Sequence, residues 1–574
     1  MTAAEFERRY KDGVDPAQGD YPRLGYRRTV ENGLIIERDV AVPMRDNVNI
    51  FVDLFRPDGD RPVAPLIAWS AYGKHSPQKM ENFPVDTGVP AGKLSDYTAF
   101  EAPDPTYWCP AGYAVIFVDP RGTWGSEGVA ESLCGIEEAD DCHDLIEWAG
   151  TQPWSNGKVG MAGASYLAVM QWLTAATRPP HLAAINPWEG FSDFYRDVAF
   201  HGGIPETQFL PWWQQGVLFS KSKVEDTIAM RDQHPLFDAY WETKRGNWAN
   251  IHVPAYVVAS WSDHGLHTRG TIEAYKALGS EHKWLDIHGR KKWGYFYDDQ
   301  SIARQRAFFD HFLLNKETDV TAWPPVRLEV RDRYYVGEIR SEQSWPLPDI
   351  DFKSLYLDAS TRTLTTTPVA TAARASYDSQ DEADNLVFGH TFETDTELIG
   401  NIKLKLWVEA EGSDDMDLFV ALQKFDSNGT PVHFPFFSIW ENGNVALGWL
   451  RVSHRELDEE RSRPEQPWLL HRREKKLTPG EVVPVEIEVL PSGTLFHAGE
   501  KLQLVIQGID INKYPAGTPT QRHHSDRNRG LHIVYAGGRY DSHLLIPFRL
   551  NPRRGSGVAE GAVDGAKSNQ TLDG

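Results

Sequence analysis

The sequence predicts an α/β unit on a parallel sheet buried on both faces, carrying a small helical cap and followed by an all-β, jelly-roll-like unit. Three observations predict it. Short continuous apolar runs alternate with helical stretches as far as Ala322, the pattern of strands covered on both faces. Residues 191–250 break the alternation and are rich in Trp and Phe, too long a segment for a simple connection. From Trp323 onward, short β-prone segments follow one another between turns rich in Gly, Pro, Asn and Asp.

Taken in order, residues 1–30 are polar and read as an N-terminal arm, and Val40 to Phe55 alternates around Arg45-Asp46-Asn47 as a hairpin. Five apolar strands then end in polar residues. Leu66 to Trp69 runs into Tyr72, Tyr113 to Val118 into Asp119, and Lys158 to Ala162 into Ser165. Tyr256 to Trp261 runs into Asp263, and Trp284 to Ile287 into His288. Helices are predicted over Glu137 to Gly150, Leu167 to Thr177 and Thr271 to Leu278. Later strands are predicted at Val326 to Val330, Lys403 to Val408, Phe419 to Leu422, Val485 to Val489, Leu502 to Ile506 and His532 to Tyr535. The expected boundaries are 1–190 and 251–322 for the α/β unit and 191–250 for the cap. The β-sandwich is expected over 323–551, and 552–574 is expected to be a disordered tail of Gly, Ala, Ser and charge.

Composition narrows the partners. A net charge of −22 over 574 residues argues against nucleic acid and anionic membranes as partners and says nothing about a small substrate, and a homo-oligomer is left open. Three cysteines (Cys109, Cys134, Cys142) form no disulfide framework and fit a reducing, cytoplasmic compartment. The first residues show no signal-peptide pattern, and no apolar run reaches membrane-spanning length.

Ligands of open parallel sheets bind beyond the carboxyl ends of the strands. Tyr72, Ser165, Asp263 and His288 all fall at that edge. Gly163-Ala164-Ser165-Tyr166 sits where a strand turns sharply into a helix, which exposes a hydroxyl beside the first free N–H groups of the helix. The fifth position of a full Gly-x-Ser-x-Gly elbow is Leu167. A serine nucleophile needs a base, an orienting carboxylate and oxyanion donors. The chain order Ser165, Asp263, His288 is that of α/β-hydrolases. His288 is expected to be the base and Asp263 its orienting acid. His264, His267 and His282 compete for the first role and Asp286 for the second; His264 and His267 also have the spacing of a metal pair, but no third ligand is in view.

The run from Asp119-Pro-Arg121-Gly122 through Gly125, Ser126 and Gly128, then Trp148, Gln152-Pro153-Trp154, Asn156-Gly157-Lys158 and Gly163-Ala-Ser165-Tyr166, resembles the cocaine esterase/X-Pro dipeptidyl-peptidase (CocE/NonD) family of serine hydrolases. Met44 to Val48, Tyr72-Gly73-Lys74, Phe308 to Leu313, Gly412 to Asp417 and Leu495 to Gly499 extend the likeness. The resemblance implies an α/β-hydrolase domain, a helical cap and a jelly-roll domain. It also implies a Ser165–His288–Asp263 triad and an oxyanion hole of the Tyr72 hydroxyl and the Tyr166 N–H. Departures are Ala168 for a frequent glycine, His264-Gly265 after the acid, a short cap, and no Gly-Pro-Trp before His288. Arg121 is expected to pair with a buried carboxylate, and Asp414, Asp415 and Asp417 to serve turns and strand entry. Trp188, Phe191, Trp212, Trp213, Trp293 and Tyr295 are pocket candidates.

The resemblance implies an acyl-enzyme course with no cofactor or metal; the expected activity is cleavage of a small-molecule carboxylic ester, a bulky or aromatic one being suggested by the aromatic cap. An amidase or X-Pro dipeptidyl-peptidase is the alternative; it needs an acidic subsite for a free amino group, for which Glu189 and Glu206 are candidates. A lactone or C–C bond hydrolase on the same triad, and an inert binding protein, are the remaining readings.

Overall fold

The computed structural model describes residues 6–19, 21, 25–75 and 80–550. The tail expected over 552–574 lies outside them. The central sheet is built from β1 (Leu34–Pro43), β2 (Asn49–Pro57), β3 (Ala64–Trp69), β4 (Tyr113–Asp119), β5 (Val159–Ala164), β6 (Leu182–Trp188), β7 (Ala255–Ser260), β8 (Lys283–His288) and β9 (Val326–Arg333). Their order is β1-β2-β4-β3-β5-β6-β7-β8-β9. The first two pairings are antiparallel and the rest parallel. β3, β4, β5 and β7 are buried at every residue, as parallel strands covered on both faces must be. Helices α1 (Ile136–Gly150), α2 (Tyr166–Ala176), α4 (Thr268–Ala277) and α5 (Asp299–Phe312) supply the covering layers, with α3 (Phe209–Gly216) in the inserted segment.

Register places the site. Ala164 pairs with Trp188, Val258 with Trp188, and Ser260 with His288. The carboxyl ends of β5 to β8 therefore lie side by side, and the residues that follow them share one edge.

The segment 191–250 is mixed rather than purely helical. It contains a π-helical turn (Tyr195–Ala199), α3, and helices Thr227–Gln233 and Ala239–Glu242. A two-residue strand pair, Phe200–His201 with Ile204–Pro205, interrupts them. Strand Lys223–Glu225 pairs with Tyr10–Asp12 of the N-terminal arm. The arm thus docks on the inserted segment.

The C-terminal part is β-rich. Its strands include β10 (Thr396–Glu411), β11 (Asp417–Phe425), β12 (Val483–Phe496), β13 (Lys501–Gln507) and β14 (His543–Leu550). Side chains such as Leu404, Leu406, Val420, Leu504, Leu544 and Ile546 form a second core of their own. β12 pairs antiparallel with β10 over most of its length and meets β9 through Arg331 and Thr494, so one strand joins the two parts. At this seam the buried Arg331 donates to Ser492 Oγ (2.9 Å) and the Val445 carbonyl (3.1 Å). Trp261 Nε1 donates to the Glu329 carbonyl at 2.7 Å. Asp415 and Asp417 are held by Lys476 (2.9 Å) and Arg451 (2.8 Å), and Arg121 spans Asp141 and Asp46 at 2.7 Å each.

Gly493 tests this seam. A Cβ there would stand 2.8 Å from Trp261 Nε1 and 2.9 Å from the Glu329 carbonyl. Gly493→Ala is expected to destabilise the protein by about 1–3 kcal/mol, read as a lower thermal unfolding midpoint. An unchanged midpoint would contradict the close approach.

Candidate active site

Ser165 occupies the bend between β5 and α2 with φ 57° and ψ −118°, a strained conformation for a residue with a Cβ. Three neighbours hold it. Its N–H donates to the Trp188 carbonyl (2.9 Å), Ala164 N–H donates to the Glu101 carbonyl (3.2 Å), and Gly163 has φ +131°. A Cβ on Gly163 would overlap Leu167 and come within 3.0 Å of the Glu101 carbonyl. Leu167 thus fills the space beneath the bend, which is how the elbow forms without glycine at its fifth position. Tyr166 opens α2, so its N–H is among those with no acceptor inside the helix. The Tyr166 hydroxyl donates to Glu138 at 2.9 Å, and Glu138 also accepts from Trp69 Nε1 (2.7 Å) and Cys134 N–H (2.7 Å). Burial pushes the Glu138 carboxyl up to about 7 against these donors.

The histidine beside Ser165 is His267, not His288. His267 Nε2 lies 3.2 Å from Ser165 Oγ, and His267 Nδ1 is hydrogen-bonded to Asp263 Oδ2. The geometry comes from one turn after β7. The N–H groups of Leu266, His267 and Thr268 all donate to the Asp263 carbonyl, and Gly265 adopts φ +81° within that turn. Asp263 and His267 are four residues apart, which stacks them on one side of the turn. Asp263 also accepts from Ser438 Oγ at 3.4 Å. Burial pushes the Asp263 carboxyl up, but His267, Lys292 and Ser438 outweigh it and hold it below the ordinary range. Burial pushes the His267 imidazole down despite Asp263, so it rests neutral with Nε2 able to take a proton.

His288 ends β8 as expected but is engaged elsewhere. Its Nε2 lies 3.0 Å from Glu189 Oε1, its Nδ1 accepts from Arg290 N–H (3.1 Å), and Tyr295 packs on its ring at 4.2 Å. Glu189 follows β6 with φ +45°, which turns it toward β8. Two other competitors, His264 and Asp286, are also occupied. His264 Nε2 meets the Pro491 carbonyl (3.3 Å), and Asp286 accepts from Tyr256 (3.0 Å) and Arg327 (2.8 Å). His264 and His267 therefore have separate partners and form no pair.

Tyr72 follows β3 and lines, with Ser165, two cavities that meet at the serine. Its hydroxyl accepts from Trp213 Nε1 at 3.2 Å, and burial keeps the phenol protonated, so it remains a donor beside Ser165. The first cavity is lined by Phe191, Phe194, Val198, Trp213 and His267. The second is lined by Phe209, Trp212, Trp293 and Phe437 together with Glu101 and Lys292. Phe191, Trp212, Trp213 and Trp293 thus line cavities. Trp188 is fully buried, donates to Asn186 Oδ1 (3.0 Å) and packs in the core, so it is no pocket residue.

Sequence reasoning missed Glu101 and Lys292. Glu101 is buried with φ +60°; its Oε1 accepts from Lys292 Nζ (3.0 Å) and Trp293 Nε1 (2.8 Å). Its Oε2 has no hydrogen-bond partner among the described residues. Burial pushes the Glu101 carboxyl up, while Glu101, Asp263 and Glu189 hold Lys292 charged against the cost of burying it. Of the two acids expected for an amino group, Glu206 is satisfied, whereas Glu189 Oε2 has no hydrogen-bond partner among the described residues. Glu189 faces His288, and Glu206 accepts from the N–H groups of Gln208 and Phe209 (2.7 Å each) and Leu210 (2.8 Å) at the start of α3. Chemically, the arrangement can take a proton from Ser165 and offer two donors, the Tyr72 hydroxyl and the Tyr166 N–H, to a developing oxyanion.

Comparison with known proteins agrees with this architecture. Residues 46–291 match the X-Pro dipeptidyl-peptidase (S15 family) model, and residues 318–545 match the X-Pro dipeptidyl-peptidase C-terminal non-catalytic domain. Cocaine esterase from Rhodococcus sp. (strain MB1 Bresler) is 24% identical over 605 residues, covering 90% of this chain and 99% of that protein. A Xaa-Pro dipeptidyl-peptidase of Lactobacillus helveticus is 30% identical over 251 residues, covering 38% of this chain and 28% of that protein. The crystal structure of a CocE/NonD family hydrolase from Staphylococcus aureus superposes with a TM-score of 0.88 at 43% identity, covering 92% of this chain and 98% of that one. With likeness of that extent over both parts of the fold, the chain belongs to the CocE/NonD family of hydrolases.

Proposed function

We propose that the protein is a serine hydrolase that cleaves a carboxylic ester through an acyl-enzyme. The observation that carries the reading is the unbroken hydrogen-bond chain from Ser165 through His267 to Asp263. Ser165 Oγ attacks the ester carbonyl while His267 Nε2 takes its proton. Asp263 holds the tautomer and stabilises the imidazolium. The Tyr72 hydroxyl and Tyr166 N–H receive the oxyanion, adding stabilisation only as its charge develops. Collapse expels the alcohol, which takes the proton from His267, and water then releases the acid by the same steps. The aromatic walls of both cavities favour a bulky or aromatic ester. The β-rich part is read as jelly-roll-like, and the substrate as a small molecule.

A second reading has an observation of its own. Glu101 Oε2 is a buried acceptor without a partner in an aromatic cavity beside Ser165. Glu101, Asp263 and Glu189 outnumber Lys292 there, which favours a cation and disfavours a carboxylate. This supports a substrate bearing an amine, as an amino ester or a peptide.

Three outcomes are expected. Ser165→Ala should lower kcat for a p-nitrophenyl ester by at least about 10³-fold; retained turnover would overturn the reading. The acid limb of kcat/KM should fall with an apparent pKa below the usual histidine value of about 6.5. The sign follows from burial, which disfavours protonated His267, so the base stays available to lower pH. A limb above that value would contradict the assignment. For the second reading, an α-amino ester should exceed its deaminated analogue in kcat/KM by about tenfold or more, the worth of one charged contact. Glu101→Gln should erase the preference, and equal rates in the parent protein would exclude it.

A further inference from the structure

Tyr72 reaches Ser165 from a four-residue turn after β3, and that turn is clamped from two sides. On one side stands Trp124. Its Nε1 donates to the Ala71 carbonyl at 3.0 Å, and its indole packs so closely on Gly73 that a Cβ there would lie 2.6 Å from it. Gly73 also has φ +100°, which admits a side chain poorly.

On the other side Lys74 is driven into the protein. Its side chain is 0% exposed, and Nζ lies 2.6 Å from Asp39 Oδ1, 3.2 Å from Asp53 Oδ1 and 3.8 Å from Asp119 Oδ2. It is also in contact with His75 Nε2 and lies 5.1 Å from the centre of the Tyr21 ring. The Lys74 N–H donates to Asp119 Oδ1 at 2.9 Å. The three carboxylates come from three neighbouring strands: Asp39 from β1, Asp53 from β2 and Asp119 from the end of β4. Each is fixed by other donors: Asp39 by Gly25 N–H (3.0 Å), Asp53 by Asp39 N–H (3.1 Å) and Arg38, and Asp119 by the Tyr21 hydroxyl (2.7 Å). Asp39, Asp53 and His75 bring ligand atoms within 4.8 Å of one another, a spacing suited to a metal ion, and the ammonium of Lys74 stands among them.

We propose that Lys74 is the positioning residue for Tyr72: its buried ammonium ties the turn to β1, β2 and β4 and so sets the phenol over Ser165. Buried charges fully paired in this way are costly to break on one side only, and the cost falls on the geometry of whatever they hold. Lys74 touches neither substrate nor reacting atoms; it acts through Tyr72. The proposal rests on the reading of Tyr72 as an oxyanion donor, and the experiment separates the two.

The experiment is a double-mutant cycle on the full chain, measuring kcat and KM for one p-nitrophenyl ester with Tyr72→Phe, Lys74→Met and the double variant. Tyr72→Phe should lower kcat by about 10²–10³-fold. Lys74→Met should lower kcat about tenfold or more with KM little changed. The double variant should be no slower than Tyr72→Phe alone, because Lys74 has nothing left to position. If the two losses multiply, Lys74 does not act through Tyr72 and the proposal falls while the reading of Tyr72 stands. If Tyr72→Phe retains full kcat, both fall. Should Lys74→Met fail to fold, Tyr21→Phe removes a single hydroxyl from Asp119 and enters the same cycle. It should slow the parent protein and leave Tyr72→Phe unchanged, and a loss in both backgrounds would overturn the proposal.

Discussion

The turn from Asp263 to His267 is the constraint on which the site depends. Three N–H groups close on one carbonyl, and that closure sets a carboxylate and an imidazole on the same side, in hydrogen-bond contact and facing Ser165. Asp263 and His267 therefore come from one loop after β7 rather than from the ends of two strands. Their relative position is fixed by local backbone geometry. What the sheet must supply is only the distance between that loop and the β5 elbow, and the register of β5, β6 and β7 supplies it.

Around this chain the protein buries several charged groups, each against partners of its own. Glu189 faces His288, Glu101 faces Lys292, Glu138 gathers three donors, and Lys74 sits among three carboxylates. An unpaired ion would be prohibitive at such depth, so each set has a single workable arrangement. The sets lie behind the elbow, beside the turn that carries Tyr72 and along the cavity wall. Their rigidity is what gives a strained Ser165 a fixed neighbourhood. Glu101 Oε2 is the exception within the cavity wall, and an exception of that kind is where a ligand gains most.

Much of this was legible in the sequence. Apolar runs with polar ends marked β3, β4, β5, β7 and β8, and the elbow at Ser165 followed from small residues between a strand and a helix. The expected histidine, His288, does not meet Ser165, for a physical reason. A histidine ending the β8 strand is where a base is expected, but Glu189, turned by its positive φ, captures His288 first. The signal for His267 was present as Asp263-His264-Gly265-Leu266-His267, a carboxylate and an imidazole at i and i+4 around a glycine. In the sequence His267 stands only as a competitor of His288, because nothing in one dimension distinguishes a turn from a helix face. Glu101 and Lys292 were invisible for a different cause: they are 191 residues apart in the chain and meet only through the fold. Trp188 misled because a tryptophan at a strand end can equally face the cavity or the core, and its indole N–H finds Asn186 inside.

The central claim is that the base for Ser165 is His267. The measurement is the rate of covalent labelling by a fluorophosphonate, followed by intact mass, for His267→Ala and His288→Ala beside the parent protein. Labelling reports activation of Ser165 without requiring a known substrate. The account predicts that labelling collapses in His267→Ala and persists in folded His288→Ala. Persistence in His267→Ala with loss in folded His288→Ala would contradict it and return the base to the end of β8.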